Sequence, residues 1–244
     1  MKTIAVPIHI AIIPDGNRRW AKAHKHQILW RGHAEGAKRF EEVLRAAFSS
    51  GVRYLTMWTA SIDNLKKRPA EEIAFLVNLF TDELNRLVVS KEILERKVRV
   101  RVLGKGSAIV HDAKLDQAIN RIEKETASHV NHHLTILFGY DGQQEMLEAV
   151  KQIAKSHAYR QAGKEQSVNI SGEMLQKHLE TGELPLVDLV IRTGGEPHWS
   201  AGFMMWHTAN SQFYFTEKFW PEFDTNEFQK ALEDFLRRER RLGK

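Results

Sequence analysis

Short apolar runs and helical patterns alternate along this chain, and that alternation limits the fold more than anything else in the sequence. Apolar runs at 8–13, 54–59, 98–103, 134–138, 186–191 and 213–216 are separated by amphipathic stretches at 34–50, 70–89, 109–129, 143–157 and 172–179, with another at 226–240. Strand–helix–strand repeats with right-handed crossovers give a mostly parallel sheet covered on both faces. The expected fold is therefore α/β, one domain over residues 1–244, with a central six-stranded, mostly parallel sheet flanked by helices. Pro69 followed by Glu71 and Glu72 opens a helix through its fixed φ and the helix dipole. In the last stretch Phe228, Leu232, Phe235 and Leu236 share one face behind Asp224 or Thr225 as cap. The polar stretch 161–169 reads as a mobile loop and is too short for a linker.

Composition narrows the function classes. Cys is absent, which excludes disulfides, thiolate metal sites and thiol nucleophiles and suits a reducing, cytoplasmic setting. The net charge of +5 favours anionic partners, but a mild excess also serves solubility, and nothing else in the sequence points to nucleic acid. The longest apolar stretch, 4–13, contains Pro7 and His9 and falls short of the ~20 residues that span a bilayer.

Parallel sheets bind ligands beyond the carboxyl ends of their strands, and three polar clusters sit there. The first is Asp15-Gly16-Asn17-Arg18-Arg19-Trp20, between a strand and a helix. Free N–H groups at a helix start bind anions, glycine allows close approach, and arginine forks suit phosphate. Asp15 has the wrong charge for a phosphate cradle unless a divalent cation lies between carboxylate and phosphate, so the loop suggests a Mg²⁺-assisted diphosphate site. The second cluster, Ser61 to Pro69, includes Asp63, Asn64 and Arg68, and reads either as a substrate-positioning loop or as ordinary helix capping. The third, Arg192-Thr193-Gly194-Gly195-Glu196-Pro197-His198-Trp199-Ser200, offers a guanidinium, hydroxyls and free N–H groups as a second anion site. Gly104-Lys105-Gly106 lacks the third glycine of a dinucleotide loop, and the paired histidines lack metal-ligand spacing.

These clusters, in this order, closely resemble the cis-prenyltransferases, the family that includes undecaprenyl diphosphate synthase. Asp-Gly-Asn-x-Arg-Trp-Ala from Asp15, Ile-Arg-Thr-Gly-Gly-Glu from Ile191, Tyr214-Phe215-Thr216, Trp220-Pro221-Glu222-Phe223 and the C-terminal Arg241-Leu242-Gly243 carry the likeness. The resemblance implies condensation of isopentenyl diphosphate with an allylic prenyl diphosphate, and a homodimer. Asp15 would hold Mg²⁺ on the diphosphates. Gly16, Asn17, Arg18, Arg19 and His33 would grip the primer diphosphate, with Arg68 nearby and Trp20 beside the allylic chain. Arg192, His198, Ser200 and the partner subunit's Arg-x-Gly tail, Gly243 included, would hold isopentenyl diphosphate. Ser61 and Asn64 would assist positioning and proton loss. An apolar tunnel would be lined by Phe40, Phe48, Phe75, Leu76 and Phe80, and a lipid product allows peripheral association at the inner face of a membrane.

The chain departs from the family pattern at several positions. Gln212 stands where the family has a metal-ligating Glu, His198 where it has a second arginine, and Leu29 where it has another. Asp63-Asn64-Leu65 replaces Glu-Asn-Trp, with one residue inserted before Arg68-Pro69. Two other readings stay open on these grounds: a weakly catalytic or non-catalytic member that binds prenyl diphosphate or partners an active subunit, and a synthase joining two allylic diphosphates.

Overall fold

The computed structural model describes residues 6–160 and 170–238, with side chains as far as 155 in the first segment. The 161–169 stretch and the Arg241-Leu242-Gly243 tail lie outside the described residues. Six strands form one sheet: β1 (His9–Ile13), β2 (Tyr54–Ser61), β3 (Val98–Leu103), β4 (His132–Tyr140), β5 (Leu189–Arg192) and β6 (Gln212–Phe215). Their order is β3-β4-β2-β1-β5-β6, and every neighbouring pair is parallel. The helices are α1 (Asn17–Ala23), α2 (Gly32–Ser49), α3 (Ile62–Lys67), α4 (Ala70–Leu87), α5 (Lys91–Glu95), α6 (Gly106–Val110), α7 (Ala113–Thr126), α8 (Gly142–Arg160), α9 (Gly172–His178) and α10 (Thr225–Arg237).

The central strands are largely apolar because both faces are covered, whereas the edge strand β3 alternates valine with Arg99 and Arg101. Along β1, Ile10 and Ile12 enter the larger core with α2, α4, α7 and α10, whereas Ala11 and Ile13 enter a smaller one with Val187, Phe203 and Met204. The expected helix over 109–129 is two helices. His111 takes a left-handed conformation (φ 52°), and the Asp112 side chain accepts the Leu115 N–H at 2.9 Å to cap α7. The chain leaves β1 toward β2 on one side and returns to its other side as β5. A ligand crevice belongs at such a reversal, and here it lies between the carboxyl ends of β1 and β5.

Candidate active site

The register pairs Ile13 with Arg192, so the Asp15 loop and the Arg192 loop leave the sheet side by side. Their backbones are fastened together. The Asp15 N–H donates to Thr193 Oγ1 at 2.9 Å, and the Trp220 N–H donates to the Asp15 carbonyl at 2.9 Å. Gly16 stands at φ 101°, and a Cβ there would lie 2.6 Å from the Phe219 ring, so only glycine fits the turn that opens α1. The Asp15 carboxylate then meets two arginines. Arg192 Nη2 donates to Oδ2 at 3.0 Å, and Arg19 Nη2 lies 3.1 Å from Oδ1. Arg192 is almost completely buried and is held further by Ser200 Oγ (2.6 Å) and the His198 carbonyl (2.7 Å). Arg19 also pairs with Glu196 at 3.2 Å.

A second carboxylate organises the neighbouring cations. Glu72, in the first turn of α4, is fully buried, with Arg68 at 3.4 Å and Arg18 and His33 at 3.7 Å. These are ion-pair distances, and neither Glu72 oxygen has a hydrogen-bond partner among the described residues. The His33 ring beside it, then Arg68 and Arg18, hold the Glu72 carboxyl below its ordinary range against the opposing effect of burial. Burial pushes His33 down, with Glu72 pulling the other way, so the ring is neutral at pH 7.

Two contiguous cavities meet over this arrangement. The polar one, about 580 Å³, is lined by Asp15, Gly16, Asn17, Arg18, Arg19, His33, Ser61, Asn64, Arg68, Arg192 and Ser200, among others. The apolar one, about 130 Å³, lies between α2, α4 and the sheet, with Phe40, Leu76, Leu79, Phe80 and Leu87 in its walls. Pro14, Asn17, His33, Thr59 and Ala60 line both, so one opens into the other.

Most of the expected site residues thus share one cavity wall, but several expectations need correcting. Of the two readings of the Ser61 cluster, helix capping is the one the backbone shows: Asn64 N–H donates to Ser61 Oγ at 3.0 Å and Ser61 N–H to Asn64 Oδ1 at 3.3 Å, opening α3. Trp20 lines neither cavity, because its ring stacks on His24 one turn along α1, with centroids 4.3 Å apart. His198 is exposed and serves Arg192 through its carbonyl, while its ring faces Ser200 Oγ at 3.0 Å. Gln212 opens β6 opposite Leu189, whereas Arg192 pairs with Phe215 at the far end, so Gln212 stands away from Asp15 in this chain. Phe40, Leu76 and Phe80 line the apolar cavity, but Phe48 belongs to the packed core and Phe75 lies outside the lining. Gly243 lies outside the described residues.

Sequence reasoning missed Glu72 and Glu196 as contributors, whereas the Thr193 hydroxyl belongs to the expected second anion site. Arg68 and Glu72 at i,i+4 were the one local signal for the buried pair. Among the described residues no group of three or more His, Cys, Asp or Glu side chains is arranged to hold a metal. Asp15 alone fits Mg²⁺ of the kind that takes one carboxylate and completes its shell with phosphate oxygens and water.

Comparison with known proteins gives the same direction. The model of the prenyltransferase family described as "Putative undecaprenyl diphosphate synthase" matches residues 13–243. An isoprenyl transferase of Thermus thermophilus is 38% identical over 98% of this chain and 89% of its own length. The ditrans,polycis-undecaprenyl-diphosphate synthase ((2E,6E)-farnesyl-diphosphate specific) of Escherichia coli is 38% identical over 96% of this chain and 89% of its own. Among solved structures, lavandulyl diphosphate synthase from Lavandula x intermedia, in complex with dimethylallyl diphosphate, superposes with a TM-score of 0.88 at 27% identity, covering 98% of this chain and 99% of that one. Fold, paired arginine-bearing loops and sequence similarity along almost the whole chain agree, and the chain belongs to the undecaprenyl diphosphate synthase family of prenyltransferases.

Proposed function

We propose that the protein condenses isopentenyl diphosphate with an allylic prenyl diphosphate to make a Z-configured prenyl diphosphate. The observation that carries this reading is the continuity of an arginine-lined polar cavity with an apolar one at His33 and Asn17. A molecule with a doubly charged head and a hydrocarbon tail matches both parts at once.

In this reading Arg18, Arg19, Arg68 and His33 hold the primer diphosphate, and Arg192 with Ser200 holds that of isopentenyl diphosphate. The primer C1–O bond breaks as the isopentenyl double bond attacks C1, so negative charge grows on the leaving diphosphate. Fixed cations in a site screened from water stabilise that charge. Asp15 would hold Mg²⁺ together with diphosphate oxygens, and the ion supplies further charge stabilisation when bound. Ser61 and Asn64 assist positioning and the proton loss that closes the reaction. We further infer a cytoplasmic homodimer whose Arg241-Leu242-Gly243 tail reaches the partner's site, with peripheral membrane association through a lipid product. The family resemblance supports these points, and no helix among the described residues is long and apolar enough to cross a membrane.

The likeness to lavandulyl diphosphate synthase, a protein crystallised with dimethylallyl diphosphate, favours one second reading, the joining of two allylic units. A single experiment separates the two. Purified protein is offered dimethylallyl diphosphate alone, then isopentenyl diphosphate with C5, C10, C15 and C20 primers, each with and without Mg²⁺, and products are identified by mass. Mg²⁺-dependent Z-products from isopentenyl diphosphate are expected. Product from dimethylallyl diphosphate alone favours the second reading, and no product from any mixture overturns both.

A further inference from the structure

The depth of the apolar cavity carries information about the product. Along α2 its wall runs from His33 to Phe40, about 10 Å at the helical rise, and along α4 from Leu76 to Leu87, about 16 Å. On the sheet it reaches down from Ala60 and Phe138 to Met57 and Ile136, three residues on β2 and two on β4, or about 7–10 Å. Helical side chains lean toward the helix N-terminus, which in α4 lies at the mouth of the cavity. Leu87, in the last turn of α4 and 2% exposed, lines the cavity at the end of α4 farthest from the mouth, as Phe40 does on α2. Beyond Phe40, Met57 and Ile136, residues farther along the same elements, Leu44, Leu55 and Leu134, belong to the packed core with exposures of 0–1%.

A volume of about 130 Å³ is close to that of a cavity that holds one benzene ring, which corresponds to on the order of one to two five-carbon units. The unit attached to the diphosphate occupies the shared mouth at His33 and Thr59. Chains of undecaprenyl length, for which several relatives are named, exceed this space many times over.

Resting on the condensation reading above, we propose that this protein is a short-chain synthase. Leu87 and Phe40 stop growth at about three five-carbon units, which the space beyond the mouth sets. The growing tail meets the floor after one or two additions, and the primer end is then held out of reach of the next isopentenyl diphosphate. Short primers fit and are extended, whereas a C15 primer already fills the cavity.

The test is product length by mass spectrometry, with isopentenyl diphosphate, Mg²⁺ and either the C5 or the C15 primer. Wild-type protein is expected to extend the C5 primer to products ending near C15 and to leave the C15 primer essentially unextended. Leu87→Ala is expected to lengthen the longest product by at least one five-carbon unit and to allow extension of the C15 primer. Phe40→Ala gives an independent opening of the same floor should the first variant fold poorly, with the circular dichroism spectrum and a cooperative thermal melt reporting on folding in each sample. Long products from wild-type protein with either primer overturn the proposal while leaving the condensation reading intact. Unchanged product length in both folded variants does the same. No product of any length from wild-type protein overturns both.

Discussion

Two carboxylates gather the cations of this site, and they are held in opposite ways. Asp15 is about one-third exposed, faces the polar cavity and is bound at 3.0–3.1 Å by Arg192 and Arg19. Glu72 has no exposure, lies behind the cavity wall and keeps Arg18, His33 and Arg68 at 3.4–3.7 Å. An accessible carboxylate in charge-assisted contact with two arginines can exchange partners when a diphosphate draws those arginines toward itself. A buried carboxylate has no such freedom, because losing its partners would leave an uncompensated charge in the interior. On the proposed function, Asp15 would therefore take part in the reaction and Glu72 in arranging the groups that serve it.

The largest expected effect tests the first half of that contrast. Asp15→Asn should lower kcat/KM by about 10³-fold or more, because it removes the carboxylate that would hold Mg²⁺ on the leaving diphosphate and that aligns Arg192 and Arg19. The fold should survive, since the backbone contacts of Asp15 with Thr193 and Trp220 remain. A variant that retains more than a tenth of wild-type activity would remove Asp15 from the chemistry.

Glu72→Gln tests the second half. The isostere keeps the shape and removes the charge that faces Arg18, Arg68 and the neutral His33 ring, so their aim into the cavity loosens while the reacting atoms keep their contacts. Primer KM should rise about tenfold, equivalent to about 1.4 kcal/mol, with kcat changed far less. Chemical denaturation should show a stability loss of about 1–3 kcal/mol from the altered buried group. A fall in kcat as large as that of the Asp15 variant, with primer KM unmoved, would erase the distinction.

This contrast also marks how far the sequence could be read. Six strands in alternation with helices were legible because two covered faces demand apolar strands, and Asp15 with Arg192 was legible because both leave strand ends. Glu72 was not. In the sequence it is an acid in the first turn of a helix behind Pro69, a position the dipole already explains. Its burial arises only when α4 packs near the starts of α1 and α2, a contact between residues far apart in the chain. The same limit misassigned Phe48. Helical spacing puts Phe40 and Phe48 on one side of α2, but only packing decides that Phe40 borders open space and Phe48 borders other side chains. Trp20 failed for a local reason, since His24 lies one turn on and takes its ring.

Acid provides a finer probe of the Glu72 cluster. His33 has a folded-state pKa below its ordinary value of about 6.5, so between the two the unfolded chain binds more protons. Its contribution to stability is complete above about pH 6.5 and is lost as pH falls toward the folded-state pKa. Glu72 opposes the downward push of burial on His33, so Glu72→Gln should move the His33 pKa further down and steepen the stability loss on acidification. An NMR titration of the His33 ring in both proteins checks the direction. An unmoved or raised pKa would show that Glu72 and His33 are not coupled as their 3.7 Å approach implies.

The smallest expected effect concerns Gln212, which the family pattern nominates as a metal position. If accessibility beside the arginine pair is what makes Asp15 a metal carboxylate, a second acid matters only where it shares that cavity. Gln212 does not: it sits at the start of β6, and its Oε1 is buried without a hydrogen-bond partner among the described residues. Gln212→Glu should therefore leave the Mg²⁺ concentration for half-maximal activity unchanged within twofold. It should instead cost stability by about 1–3 kcal/mol, because a charge replaces a buried amide oxygen. A fall in the Mg²⁺ requirement would mean that position 212 reaches a diphosphate site after all. Within one chain the sheet register forbids that contact, so such a result would place the carboxylate in a partner's site and make the metal centre a property of the dimer.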